Sequence, residues 1–220
     1  MPGTLYIVAT PIGNLADMTL RAIETLKSVD LIAAEDTRHT KILLDRYGIT
    51  TPTTSYFEYN KLRKTDYLLK VLKEGRSVAL VSDAGTPGIS DPGYTIIRMA
   101  IDHDIQVVSI PGPAAVIAAL TVSGKPTDSF TFEGFLSNKP GKRKNQLTKL
   151  RDEGRTVVLY ESPHRILKLL EDILEVYGDT QLVLARELTK KFEEIQRDKA
   201  NALIAHFKAH KPLGEFIVVI

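Results

Sequence analysis

The chain has 220 residues, 43% apolar and 25% charged, enough apolar mass for a core and too much for a disordered chain. It contains no Cys, which excludes disulfide frameworks, cysteine–zinc sites, Fe–S clusters and Cys nucleophiles. The net charge is only +2, with 12 Lys/Arg against 13 Asp/Glu over residues 1–123 and 17 against 14 over 124–220, so a polyanionic partner is permitted rather than implied.

The apolar run at 4–9 reads as a buried strand; it lacks a basic n-region and is too short for a signal peptide. A Pro/Gly loop leads to an amphipathic helix at 19–28, then a strand at 31–34 that runs into Glu35, Asp36 and Arg38. Helices follow at 37–47, closed by Gly48, and at 61–74, closed by Gly75. Residues 78–81 are continuously apolar, as in a parallel strand covered on both faces. A long loop at 82–93 precedes a helix near 94–102, a strand at 107–110 and an apolar helix at 114–122. That helix is apolar all round and should be buried all round, which calls for a subunit interface as cover. It is also the longest apolar stretch, about half a membrane span, so a soluble cytoplasmic protein with no membrane partner is expected.

This βα alternation predicts an α/β domain at 1–123 with a mainly parallel sheet. A linker is expected at 124–128. A second α/β domain at 129–220 should hold strands at 130–135, 156–160, 181–186, 190–196 and 215–220. Its helices are expected near 140–152, at 163–177 with Ser162 as cap, and at 199–209. Its pattern predicts a mixed sheet. The chain stops inside an apolar strand, so a continuation beyond residue 220 is expected.

Ligands of parallel α/β sheets bind beyond the carboxyl ends of the strands. The longest loop in such a place is SDAGTPGISDPG at 82–93. It holds no Lys or Arg, and the chain has neither a P-loop nor a Gly-x-Gly fingerprint. A pocket with Asp83 and Asp91 and no cation suits a neutral or cationic ligand, and methyl-donor sulfonium chemistry fits that description. His206 and His210 stand at i,i+4 without a third ligand, and no metal is assigned. Lys139, Lys142, Arg143 and Lys144 form a basic cluster where a helix should begin. Cations there oppose the macrodipole by about 0.3–1 kcal/mol each, a placement that asks for a compensating partner such as phosphate unless the cluster is simply a solvated loop.

The segments LYIVATPIGNLADMTLRA, AEDTR, LVSDAGTPGISDPG, SIPGPAA, FEGFL and YESPHR resemble, in this order and over nearly the whole chain, the tetrapyrrole-methylase (class III) S-adenosylmethionine methyltransferases. Within that family they are similar to the branch that methylates a ribose 2′-hydroxyl of small-subunit rRNA. The resemblance implies two α/β domains, S-adenosylmethionine in the inter-domain cleft, and a homodimer. It also implies a cytidine of the decoding region as substrate (cytidine 1402), met within the 30S subunit. Carried over by position, cofactor contacts fall on Ile12, Asp83, Gly85, Thr86, Ala114, Ala115, Tyr160, Glu161, Leu188, Pro212 and Leu213. Glu35, Asp36 and Arg38, which follow a strand, are the candidates for base, orienter and phosphate clamp, and Lys139, Lys142, Arg143 and Lys144 for RNA contacts. One departure is residues 56–60, YFEYN, where the family has a His-rich stretch. Rival readings are a same-fold methyltransferase acting on a tetrapyrrole or other small molecule, and a non-catalytic RNA-binding module.

Overall fold

The computed structural model describes residues 2–220, which fall into two compact units. The first, ending at Ala114, contains β1 (Thr4–Val8), α1 (Leu20–Ser28), β2 (Leu31–Ala34), α2 (Thr37–Tyr47), β3 (Thr53–Ser55), α3 (Lys61–Lys73), β4 (Val78–Val81), α4 (Tyr94–Asp102) and β5 (Gln106–Ile110). All strand pairs are parallel, in the order β3-β2-β4-β1-β5.

The alternation of side chains along a strand explains the apolar runs. Leu5, Ile7, Leu31, Ala33, Val78 and Leu80 pack with Leu68 and Leu72 of α3 and Ile96 and Ala100 of α4. Val8, Ile32, Ala34, Ala79 and Val81 face the other way, onto Ala22 and Leu26 of α1 and Leu43 and Leu44 of α2. Helices on both faces make the sheet doubly wound. Because every strand is parallel, all five carboxyl ends share one edge. Helix starts are fixed by side chains that relieve orphan N–H groups: Thr19 accepts from Ala22 N–H at 3.2 Å, and Asp36 from Arg38 N–H at 2.8 Å.

The second unit contains α5 (Ala115–Ser123), β6 (Phe130–Gly134), α6 (Pro140–Glu153), β7 (Thr156–Glu161), α7 (Ile166–Tyr177), β8 (Gln181–Arg186), β9 (Glu194–Lys199), α8 (Ala200–Ala209) and β10 (Phe216–Val219). Its sheet order is β6-β7-β10-β8-β9, with β6–β7 parallel and the other pairs antiparallel. The core joins Val157, Leu159, Leu182, Leu184, Phe216 and Val218 to α6, α7 and α8 through residues such as Leu147, Leu169, Ile173 and Leu203.

Four details differ from the sequence reading. The units divide at 114/115 rather than at 124–128, because α5 buries Val116, Ala119 and Leu120 and lies against β7 and β10. In this single chain α5 is not buried all round: Ile117 is 47% and Val122 39% exposed. Helix α7 starts at Ile166, not 163, since residues 162–165 form a turn in which both Arg165 and Ile166 donate to the Ser162 carbonyl. Strand β9 also begins later than the expected 190–196, after a turn closed by Lys190 on the Glu187 carbonyl. No helix among the described residues is long and apolar enough to cross a membrane.

Candidate active site

In the first unit the loops after β1, β4 and β5 meet around Gly85. Thr10 and Gly85 exchange both backbone hydrogen bonds, at 2.9 and 3.0 Å, and Thr10 Oγ1 donates to the Ser82 carbonyl at 3.0 Å. Gly85 adopts φ +81°, a conformation open to glycine and costly for a side chain. A Cβ placed there would lie 3.5 Å from Ile12 Cγ2 and 3.9 Å from the Pro113 carbonyl oxygen. The structure therefore brings Ile12, Gly85 and the residue preceding Ala114 together, with half-buried Thr86 next in line.

Beside them stand carboxyl groups that influence one another. Asp83 Oδ1 accepts the Asp36 N–H at 3.1 Å, tying the β4 loop to the start of α2. Burial, then the Asp83 charge, pushes the Glu35 carboxyl above its usual range. Asp91 is pushed up to about 6 by burial first and by the Glu35 and Asp83 charges, with Ser82 opposing through a hydrogen bond. The loop 82–93 holds no Lys or Arg, so the negative potential there has no local counter-charge.

Asp36 and Arg38 are committed elsewhere. Arg38 Nε and Nη2 grip the Asp36 carboxylate at 3.1 and 2.7 Å, and Arg38 N–H donates to it as well. Those bonds hold Asp36 well below the usual carboxylate range, which makes it a poor base. Glu35 alone of the three candidates faces the acidic cluster. Asp91 completes the cluster, and its signal in the sequence was its place in a cation-free loop.

The raised Asp91 has a testable consequence. Its folded value, about 6, lies above the ordinary 3.8, so the native state holds a proton that the unfolded chain has released between those limits. Stability from this group is present at pH below 3.8 and is lost as the pH rises through about 6. The thermal midpoint of the parent protein is expected to fall over that interval more steeply than that of Asp91→Asn. Scanning calorimetry at stepped pH reads the difference, and equal slopes would remove Asp91 as the titrating group.

In the second unit the strand directions place the carboxyl ends of β6, β7 and β8 and the starts of β9 and β10 at one end of the sheet. Tyr160, Glu161, Leu188, Pro212 and Leu213 all belong to that end. The Leu188 and Leu213 loops are stitched together there. Glu187 N–H donates to the Glu215 carbonyl at 3.0 Å, and Glu187 Oε1 accepts Glu215 N–H at 2.9 Å. Lys190 Nζ bridges both carboxylates at 2.8 Å. Glu187 and Thr189 sit at φ +49° and +66°, strained values for residues with a Cβ, and functional loops are where such strain concentrates. A Cβ on Gly214 would come within 2.4 Å of Glu187 Cγ, so only glycine admits this packing.

Glu161 is buried, and its Oε2 has no hydrogen-bond partner, while Oε1 accepts Ser162 N–H at 2.8 Å. Burial raises its carboxyl above the usual range. A buried polar atom without a partner costs about 1–3 kcal/mol, and a ligand donor would relieve it.

The basic cluster is only partly a surface. Lys139 and Lys142 are exposed, but Arg143 is 4% exposed and its Nε meets Asp172 Oδ2 at 2.6 Å. Lys144 bonds Glu175 at 2.5 Å and lies 3.9 Å from Asp172. Expected RNA contacts at Arg143 and Lys144 are thus corrected. Helical spacing turns position 143 inward with Leu147 and Leu150, and α7 supplies the acids. Among the described residues no group of three or more His, Asp and Glu side chains could hold a metal, and His206 and His210 stack on each other at 4.8 Å.

Two α/β units, the first parallel and the second mixed, are the architecture of the class III S-adenosylmethionine methyltransferases. The family model for Tetrapyrrole (Corrin/Porphyrin) Methylases matches residues 4–204, and the chain belongs to that family. It is an S-adenosylmethionine-dependent methyltransferase. A relative from Synechocystis sp., named ribosomal RNA small subunit methyltransferase I, is 53% identical over 219 residues, 99% of this chain and 78% of its own length. One of the same name from Thermotoga maritima is 49% identical over 99% of this chain and 98% of its own. Among solved structures, a cobalt precorrin-4 methyltransferase shares the fold at TM-score 0.75 and 17% identity, covering 98% of this chain and 94% of the other. The uroporphyrin-III C-methyltransferase of Thermus thermophilus, crystallised with S-adenosylhomocysteine, does so at TM-score 0.69 and 16% identity, covering 99% and 97%.

Proposed function

We propose that this methyltransferase acts on small-subunit rRNA, at the ribose 2′-hydroxyl of a cytidine in the decoding region, within the 30S subunit and as a cytoplasmic homodimer. The rRNA reading is supported by relatives at about half identity that carry that name. The observation that carries the chemistry is the acidic cluster at the carboxyl edge of the first sheet, which has no cation of its own. A sulfonium is the cofactor charge that such a cluster favours and a phosphate-rich ligand is one it repels.

When bound, S-adenosylmethionine supplies a methyl group made electrophilic by its sulfonium. Ile12, Asp83, Gly85, Thr86 and Ala114 are assigned to it in the first unit. In the second, the resemblance assigns cofactor contacts to Ala115, Tyr160, Glu161, Leu188, Pro212 and Leu213. The unpartnered Glu161 Oε2 is a buried acceptor that a ligand donor would satisfy. Glu35, kept basic by burial and by Asp83, is the group that takes the hydroxyl proton; Asp36, which caps α2 and pairs with Arg38, orients the strand end through its N–H on Asp83. Orientation of the hydroxyl contributes most of the acceleration, on the order of 7–11 kcal/mol in well-aligned systems. The exposed Ile117 and Val122 of α5 are the apolar surface assigned to the dimer.

Methyl incorporation compared across 30S subunits, protein-free rRNA and a tetrapyrrole tests this reading. Label in the ribose of rRNA supports it; label in the tetrapyrrole alone refutes it. With Arg143 and Lys144 withdrawn, only Lys139 and Lys142 remain for phosphates. Reversing both to Glu is expected to make the salt dependence of rRNA affinity shallower by about 1.4–1.8, at roughly 0.7–0.9 per phosphate.

A further inference from the structure

Side chains from two segments converge on the loop between β6 and α6. Arg165 Nη2 donates to the Leu136 carbonyl at 2.6 Å, and its Nε lies 3.3 Å from Glu161 Oε1. Arg143 Nη1 reaches the Ser137 carbonyl at 3.4 Å, and Gln146 Oε1 accepts Ser137 N–H at 3.0 Å. Leu136 is buried beneath them. Buried and half-buried side chains thus bond the backbone of Leu136 and Ser137, which holds this part of the loop in place.

What the loop displays is Phe135, 55% exposed, with its ring against Tyr160 at 5.8 Å and 68°. Exposed Lys139 and Lys142 follow, and residues 134–142 contain no acid. A supported aromatic ring followed along the chain by exposed cations matches a single-stranded nucleotide, the base on the ring and phosphates on the ammonium groups. A second copy docking on this loop about a twofold axis would set like charges together, which disfavours self-contact.

We propose that residues 135–142 form a preset base-stacking platform for rRNA. Phe135 receives an unpaired base, Lys139 and Lys142 take the neighbouring phosphates, and Arg165 is the positioning residue that fixes the loop through the Leu136 carbonyl. This rests on the rRNA reading above and adds to it the residue that grips the RNA.

The test measures affinity of the intact protein for unmodified 30S subunits and protein-free rRNA, calorimetric affinity for S-adenosylhomocysteine, and mass by light scattering. Phe135→Leu and Phe135→Ala are expected to weaken RNA binding about ten- to a hundredfold, the loss typical of one stacked base. Phe135→Trp restores it, and none of the three alters cofactor affinity or mass. Arg165→Ala raises the KM for RNA more than it lowers kcat, and Arg165→Lys, which still reaches a carbonyl, recovers most of the loss. If the parent protein methylates rRNA and Phe135→Ala binds it unchanged, the platform is wrong while the rRNA reading stands. Equal loss of cofactor affinity would move Phe135 into the cofactor pocket, and a change of mass would make it a self-contact; either overturns the proposal. A parent protein that neither binds nor methylates rRNA removes the reading and the platform together.

Discussion

Asp83→Lys is expected to weaken S-adenosylmethionine binding at least tenfold, about 1.4 kcal/mol or more. Asp83 lies two residues beyond a buried strand, influences Glu35 and Asp91, and accepts the Asp36 N–H at 3.1 Å. A lysine there loses that hydrogen bond, neutralises the neighbouring carboxylates and repels a sulfonium. Asp83→Asn separates charge from shape, because its amide oxygen can still accept the same N–H. If the cluster acts through its field, Asn lowers affinity for the cationic cofactor more than for neutral S-adenosylhomocysteine. Paired calorimetric titrations give the ratio. An equal loss for both ligands would show that Asp83 matters for loop geometry and not for charge.

The first sheet was legible because parallel strands buried on both faces leave continuous apolar runs, and 31–34 and 78–81 are such runs. Short β3, polar and at the sheet edge, has no such signature and was not read from the sequence. The glycines and missing cations of 82–93 marked a candidate loop from composition alone. Pairing was not legible. Nothing in the order Glu35, Asp36, Arg38 says that Arg38 folds back onto Asp36 and leaves Glu35 facing Asp83. The start of α7 was misplaced for a related reason. Ser162 followed by Pro163 reads as cap and first turn, but Glu161 takes the Ser162 N–H, and residues 162–165 turn so that Arg165 reaches Leu136. At α7 a local helix signal gave way to a long-range polar contact, whereas at α2 the helix start held and only the side-chain pairing was unreadable.

The basic cluster teaches the same lesson with a larger energy attached. Arg143 lies in the core on Asp172, so Arg143→Met should destabilise the protein by about 3–5 kcal/mol, the usual effect of stranding one partner of a buried ion pair. Lys144, 3.9 Å from Asp172, tempers the loss toward the lower figure. Removing the stranded charge as well, in Arg143→Met with Asp172→Leu, is expected to recover most of it, since a packed apolar pair of similar volume replaces a desolvated ionic one. Urea unfolding of the parent, both single variants and the double variant closes the cycle. Additive losses would mean that the 2.6 Å contact contributes nothing as a pair. The same variants bear on the RNA surface: Arg143 also holds the Ser137 carbonyl, so Arg143→Met loosens the Phe135 loop from below without touching an exposed cation. The salt dependence of rRNA binding should therefore be unchanged in the double variant, because no phosphate contact is lost, while its affinity falls through the slackened loop. A shallower salt slope would instead show that Arg143 leaves the core to meet RNA.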